Sequence, residues 1–469
     1  MELSGKKIIV VGLGKSGISV ATFLKKRGAN VIVTDSSNDN KLSDAANNLQ
    51  KIGVSVELGF HDPSSFKNSE MIVLSPGVPH TIEPVANAAR SGTTIMGEIE
   101  LASRFITEPI VAITGTNGKT TTTTLTGKML EESGLNVFVG GNIGKPLIDY
   151  VDCGNKADII VAEISSFQLD TIDFFRPKVS VLLNITEDHL DRYPDFNAYA
   201  KSKMRIFKNQ KYGDHAVFNA SDKHIFSMAE DIKCGKLPFF NHNVADDYNE
   251  FAKITDDRIV FNINNNFAAT NQKATSQDHT FEGNFSLLFS EIHLPGKHNM
   301  ENVAAATLAS LAAGGNLAGI KSALDNFRSL PHRIEHVATI NGVEYYNDSK
   351  ATTVDSVIKA LEVFNKPVVL IMGGRNKGSN FGLLTDAAKK YVKKLIVIGE
   401  AKDEIKSAIG NTVETILSSS LENAVVSASK LAEAGEVVLL SPACSSFDMF
   451  TSYAHRGEAF RNAVNLLNI

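Results

Sequence analysis

The 469-residue chain predicts an α/β protein of three tandem blocks, each built on a mostly parallel sheet. Two observations lead there. Short apolar runs alternate with helical stretches, a rhythm that restarts near Glu98 and again near Leu330. Two glycine-rich turns each follow an apolar run and open a helix.

In the first block, 1–97, strands are expected at 8–11, 31–34 and 71–75, with a helix at 16–27. Gly12-Leu13-Gly14-Lys15-Ser16-Gly17 joins the first strand to that helix, and Asp35 ends the next strand. This is a diphosphate-cradling pattern in which the acid takes a ribose hydroxyl. A nicotinamide dinucleotide fits it, and so does a UDP-sugar, which also carries a diphosphate and a ribose.

In the second block, 98–329, the apolar run 110–113 leads into Thr114-Gly115-Thr116-Asn117-Gly118-Lys119-Thr120-Thr121 and a helix to about 133. Glycines let backbone N–H groups turn toward an anion, and the helix N-terminus adds its positive dipole end. Lys119 can reach terminal phosphates, and Thr120 can offer a hydroxyl to Mg2+. The loop departs from a full Walker A pattern, because Ile113 stands five places before Gly118. Further strands are expected at 137–139, 158–163 and 179–184. Glu163 ends one of them, where a Mg2+ ligand is wanted beside a phosphate loop. Asn184-Ile185-Thr186-Glu187-Asp188-His189 follows another, and the mixture of acids and a histidine suits a second cation. An Asn-rich stretch at 241–282 reads as a surface hairpin, and an Ala-rich helix at 300–313 closes the block.

In the third block, 330–469, strands are expected at 343–346, 368–372, 395–398 and 437–440, with a last helix at about 454–467.

Bulk properties exclude several classes. Lysine and arginine number 47 against 52 acids, a net charge of −5, and no basic tract suggests nucleic acid. The cysteines Cys153, Cys234 and Cys444 have no metal spacing and read as reduced thiols, so a cytoplasmic protein is expected. The opening MELSGKKIIVVGLG lacks a signal-peptide pattern, and no apolar run is long enough for a membrane span.

GTNGKTT, GGNIG (140–144), EISSFQL, NITEDHLDRY, LPGKHNMEN and NDSKATT occur in this order along the chain. The set resembles the ATP-dependent Mur ligases of peptidoglycan synthesis. SPACSSFDMF (441–450) and the glycine-turn block resemble the branch that adds D-glutamate. The resemblance implies a Rossmann-like N-terminal domain, a central P-loop-type ATPase domain and a Rossmann-like C-terminal domain. It implies ATP and Mg2+ as cofactors, UDP-N-acetylmuramoyl-L-alanine and D-glutamate as substrates, and an acyl-phosphate intermediate. A monomer is the expectation.

Residue by residue, the resemblance assigns the phosphates to Gly115, Thr116, Asn117, Gly118, Lys119, Thr120 and Thr121. It assigns one Mg2+ to Thr120 and Glu163, and a second to His189 and a CO2-carbamylated Lys203. Asn299 and Asn302 lie on the adenine side, Asp348 on the ribose and Arg333 near the phosphates. Gly14, Lys15, Ser16, Asp35, Ser36, Ser75, Asn142 and Ser165 match substrate positions on the UDP-sugar side. Lys350, Thr352, Lys377, Ser446 and Tyr453 surround the incoming D-glutamate, and cationic and hydroxyl groups complement a dicarboxylate. The catalytic set is Lys119, His189, Lys203 and Lys350. The chain departs from the family in two places: Ser36 and Ser37 follow the strand acid where a basic residue is common, and Tyr453 stands where relatives carry Phe. Alternatives are a ligase of the same superfamily with another amino acid, a folylpolyglutamate synthase, an NAD-dependent oxidoreductase, and a non-catalytic ATP switch.

Overall fold

The computed structural model describes residues 1–154, 156–190, 192–242, 248–263, 284–294, 296–328 and 330–468. Their strands form three sheets. The first contains β1 (Lys7–Val11), β2 (Asn30–Asp35), β3 (Ser55–Leu58), β4 (Met71–Leu74) and β5 (Thr94–Gly97), in the order β3-β2-β1-β4-β5, all parallel. The sequence KIIVV of β1 is apolar almost throughout because helices cover both faces of a parallel sheet. The helix Lys15–Lys26 starts at Gly14. Gly17 is required there, since a Cβ would lie 1.9 Å from the Gly12 carbonyl oxygen. Both β3 and β5 escape the sequence reading. They are four-residue edge strands, and β3 is nowhere fully buried.

The second sheet contains β6 (Ile110–Thr114), β7 (Val137–Gly141), β8 (Ile159–Glu163), β9 (Val179–Leu182), β10 (His215–Asn219), β11 (Gly235–Phe240), β12 (Phe251–Ile254), β13 (Arg258–Asn262) and β14 (Phe285–Leu288). Its order is β14-β13-β12-β11-β10-β9-β6-β8-β7. The strands are parallel from β7 to β12 across the sheet, and β13 and β14 add antiparallel pairs at the edge. Thus part of the expected Asn-rich hairpin extends the sheet, while 243–247 and 264–283 lie outside the described residues. The Ala-rich helix runs Lys297–Ala312.

The third sheet contains β15 (Glu335–Ile340), β16 (Val343–Asn347), β17 (Val368–Gly373), β18 (Val392–Ile398), β19 (Thr415–Leu417) and β20 (Val437–Leu440), in the order β15-β16-β20-β17-β18-β19. Only the β15–β16 pair is antiparallel among them. Its two faces bury separate apolar cores, one holding Leu370, Met372 and Leu439, the other Ile371, Val438 and Phe460.

The chain divides into two compact units. One comprises Met1–Ile185, Asn197–Phe289 and Glu301–Asp325, and the other Thr186–Phe196, Ser290–Met300 and Asn326–Ile469. The short segments 186–196 and 290–300, expected in the central block, therefore go with the third sheet. Within the first unit, the Lys26 ammonium meets the Asp152 carboxylate at 2.5 Å, and the Ile148 N–H donates to the buried Glu98 carboxylate at 2.8 Å. No helix of the described residues is long and apolar enough to cross a membrane.

Candidate active site

The phosphate loop leaves β6 at its carboxyl end and enters the helix Lys119–Glu132 through Gly118. Gly118 is left-handed, with φ +84°, and a Cβ there would lie 2.2 Å from the Asn302 Oδ1. The helix carries neither a side-chain cap nor an acid in its first turn. A helix N-terminus of this kind suits an anion. The Lys119 ammonium folds back on the loop, donating to the Gly115 and Thr116 carbonyl oxygens at 2.8 Å each. Lys203, buried in the helix Phe196–Met204, donates to the same Gly115 oxygen at 2.9 Å. Lys201, two residues earlier, is exposed. Thr116 shares a 3.0 Å hydrogen bond with the Tyr199 hydroxyl, and the Thr122 hydroxyl donates to Asn302 at 3.2 Å. The structure therefore gathers Gly115, Thr116, Asn117, Gly118, Lys119, Lys203 and Asn302 around one loop.

Glu163 stands beside this loop because β8 pairs in register with β6, Ile113 opposite Glu163. One carboxylate oxygen accepts from the Asn142 amide at 2.7 Å. The other is buried and has no hydrogen-bond partner among the described residues. An orphaned buried carboxylate oxygen is costly unless a cation meets it. This donor set fits a magnesium nucleotide, since Mg2+ takes one or two carboxylates and fills its remaining positions with phosphate and water. Among the described residues no three His, Cys, Asp or Glu side chains gather around a metal position. Ser165 has a local task, forming a capping box with Gln168 at the start of a short helix.

The glycine turn of the first sheet is tied from two sides. The Asp35 carboxylate accepts the Leu13 N–H at 2.7 Å and the Ser37 N–H at 2.9 Å, and the Ser75 hydroxyl donates to the Gly12 carbonyl at 3.0 Å. Asp35 is thus a fastener of the turn as well as the expected ribose acid. The Lys15 ammonium reaches the Gly144 carbonyl, in the segment that carries Asn142.

In the second unit, His189 has a positive φ of 55°, and its N–H donates to its neighbour Asp188 at 2.9 Å. The Lys377 ammonium binds the same carboxylate at 3.1 Å. Asp348 is buried at the carboxyl end of β16, accepting the Ser441 hydroxyl at 2.8 Å and the Ile334 N–H at 3.3 Å. Burial pushes its carboxyl up to about 7. The Lys350 ammonium sits 3.7 Å over the Tyr453 ring, which offers its face to the cation. Ser446 is buried in the turn that follows β20. Thr352 and Arg333 lie on the segments either side of Asp348, and Asn299 is buried at the start of its helix.

Three family models cover these regions: a Mur ligase MurD-like N-terminal domain at residues 6–97, a Mur ligase middle domain at 113–310 and a Mur ligase glutamate ligase domain at 332–444. The UDP-N-acetylmuramoylalanine–D-glutamate ligase of Desulfosudis oleivorans is 47% identical over 467 residues, covering 100% of this chain and 98% of that protein. The chain belongs to the Mur ligase family. The ligase of the same name from Desulfatibacillum aliphaticivorans is 47% identical over 468 residues, covering 100% of both chains. Among solved structures, the MurF ligase of Thermotoga maritima in complex with ADP aligns with 99% of each chain at a TM-score of 0.61 and 16% identity, a likeness of fold.

Two residues of this Mur ligase escape the sequence reading. Asn184 clamps the phosphate loop: its Oδ1 accepts the Asn117 N–H at 2.8 Å, and its amide donates to the Asn117 carbonyl at 3.2 Å. It ends a strand-like run that leads into the acids, and nothing in its spacing announces a partner 67 residues away. Arg456 is 1% exposed. Its guanidinium donates to the Ser349 hydroxyl and carbonyl at 3.0 and 2.8 Å, to the Cys444 carbonyl at 3.1 Å and to the Gly373 carbonyl at 3.4 Å. It thereby knits together the loops that follow β16, β17 and β20. Burial draws its guanidinium down to about 10.

Proposed function

We propose that this protein is an ATP-dependent amide ligase that adds D-glutamate to UDP-N-acetylmuramoyl-L-alanine through an acyl phosphate, in peptidoglycan precursor synthesis. The observation that carries the reading is the orphaned Glu163 oxygen beside a phosphate loop on which two buried or half-buried lysines converge. The names of the full-length relatives supply the amino acid and the sugar substrate.

A bound magnesium nucleotide would supply the phosphoryl group that activates the sugar carboxylate. The chain's own residues do the rest by position and charge. Lys119 and the N–H groups at Gly118–Thr121 hold terminal phosphate oxygens, and Glu163 with Thr120 would hold the cation. Asn142 orients on Glu163 and faces the sugar substrate in this reading. His189 and a carbamylated Lys203 serve a second Mg2+. Asn299, Asn302, Arg333 and Asp348 take the nucleoside side. Lys350, Thr352, Lys377, Ser446 and Tyr453 receive the two carboxylates of D-glutamate. Gly14, Lys15, Ser16, Asp35, Ser36, Ser75 and Ser165 serve the UDP-sugar side. The domain bounds of this reading are 1–97, 98–329 and 330–469. Within it the enzyme works as a cytoplasmic monomer, and its cysteines carry no disulfide, as a reducing compartment leaves them.

The test is incubation with ATP, Mg2+, UDP-N-acetylmuramoyl-L-alanine and, in parallel, D-glutamate, L-glutamate, L-alanine or meso-diaminopimelate. A product heavier by one glutamate residue, formed with the D-isomer alone, is expected. Oxygen-18 in the sugar carboxylate should pass to inorganic phosphate; label that stays behind refutes the acyl phosphate.

A further inference from the structure

Phe60 is 62% exposed, yet it stands on one of the best-fastened turns of the first sheet. The Gly59 N–H donates to the Asp35 and Ser37 carbonyls at 2.9 and 3.2 Å. The Thr34 hydroxyl donates to the Phe60 carbonyl at 3.2 Å and lies 3.0 Å from the His61 Nδ1. Just beyond, Asp62 caps a short helix by accepting the Ser64 N–H at 2.8 Å. The backbone is thus held on both sides of a ring that packs against no other aromatic among the described residues. A rigid turn that leaves a large apolar ring in water keeps it ready for a flat partner.

The strand order says which partner. The carboxyl ends of β1, β2 and β3 lie side by side, and they carry in turn the glycine turn, Asp35 and Phe60. Asp35 pairs with Leu58, two residues before Phe60. Neighbouring strands are about 4.8 Å apart, so Phe60 stands one strand beyond the ribose acid and roughly 10 Å from the diphosphate turn. A nucleoside diphosphate laid along this edge places diphosphate, ribose and base in that order.

We propose that Phe60 is the stacking platform for the uracil base of the UDP-sugar. The assignment rests on the reading that the first sheet binds a UDP-sugar. It gives base contact to a segment where Ser36 and Ser37 supply no cationic or aromatic side chain.

The chain contains no tryptophan, so Phe60→Trp installs a single indole reporter at the site. Titration of that variant with UDP should quench its emission saturably, over the range in which UDP competes with the UDP-sugar in turnover. Phe60→Ala and Phe60→Leu should each raise the KM for the UDP-sugar roughly tenfold, since stacking needs a π face, and Phe60→Tyr should restore it. The KM values for ATP and D-glutamate are the internal references. Normal UDP-sugar turnover with an indole blind to UDP, or a Leu variant as good as Tyr, overturns the stacking role while leaving the UDP-sugar reading intact. A wild-type protein that neither turns over a UDP-sugar nor binds UDP overturns that reading and this inference with it.

Discussion

The Lys119 and Lys203 ammonium groups donate to one acceptor, the Gly115 carbonyl oxygen, at 2.8 and 2.9 Å. Two positive charges held no more than about 6 Å apart repel by on the order of 3 kcal/mol at an effective dielectric of 20. The arrangement is relieved if phosphate draws Lys119 off the loop, or if Lys203 loses its charge.

Carbamylation would achieve the second. The Lys203 ammonium first gives up a proton; the neutral amine then attacks CO2, an N–C bond forms, a second proton leaves, and a cation has become an anion fit to face Mg2+. Lys203→Ala should lower turnover by about a thousandfold, the scale on which loss of an essential electrostatic group is felt. Short carboxylates added to the variant should restore part of it. Depleting bicarbonate from the wild-type assay should slow it. Wild-type turnover in the alanine variant would remove Lys203 from the reaction.

Asn184→Ala should loosen the phosphate loop without unfolding the sheet. It removes two hydrogen bonds to Asn117, each worth about 1 kcal/mol. The KM for ATP should rise roughly tenfold or more, with D-glutamate affinity little changed. Equal losses toward both substrates would mean that Asn184 supports the fold as a whole.

Arg456→Lys keeps a positive charge but cannot serve three loops with one planar fork. Loss of two or three buried hydrogen bonds should cost about 2–4 kcal/mol in urea unfolding. The KM for D-glutamate should rise more than that for ATP, because Lys350, Tyr453 and Ser446 stand on or beside the loops it joins. A stability loss with no shift in the D-glutamate KM would assign it to the fold alone.

Glu98 gives a pH dependence of stability. Burial lifts its carboxyl from 4.5 to about 7. A raised carboxyl keeps its full contribution below the unfolded value and loses it as pH rises through the folded one. Stability should therefore fall between pH 4.5 and about 7. Glu98→Gln still accepts the Ile148 N–H and should flatten that part of the profile, standing above wild type at pH 8 in urea midpoint. Parallel profiles for the two proteins would show that Glu98 titrates normally.

Strands such as IVAIT of β6 and VVLL of β20 were legible because a strand covered on both faces is apolar at every or nearly every position, whereas the interior strands β10 and β11 escaped the sequence reading. Edge strands such as β3 and β19 were not, because partial exposure admits polar residues and blurs the period. The phosphate loop was legible because its chemistry is local: glycines, a lysine and a threonine in one run. Asn184 and Arg456 were not, since each acts on residues 67 or 107 positions away and only the folded sheet brings them together. Asp35 is legible as an acid at a strand end, while its grip on the Leu13 N–H depends on the β1–β2 register.

The position of Arg456 bears on how such an enzyme could acquire a new amino acid. One buried guanidinium ties together three loops, so a replacement that reshapes one of them tugs on the other two. If these loops receive the amino acid, as the proposed function has it, altered specificity is a matter of concerted change, and single substitutions that reshape one loop will be lost to instability before they gain a new acceptor.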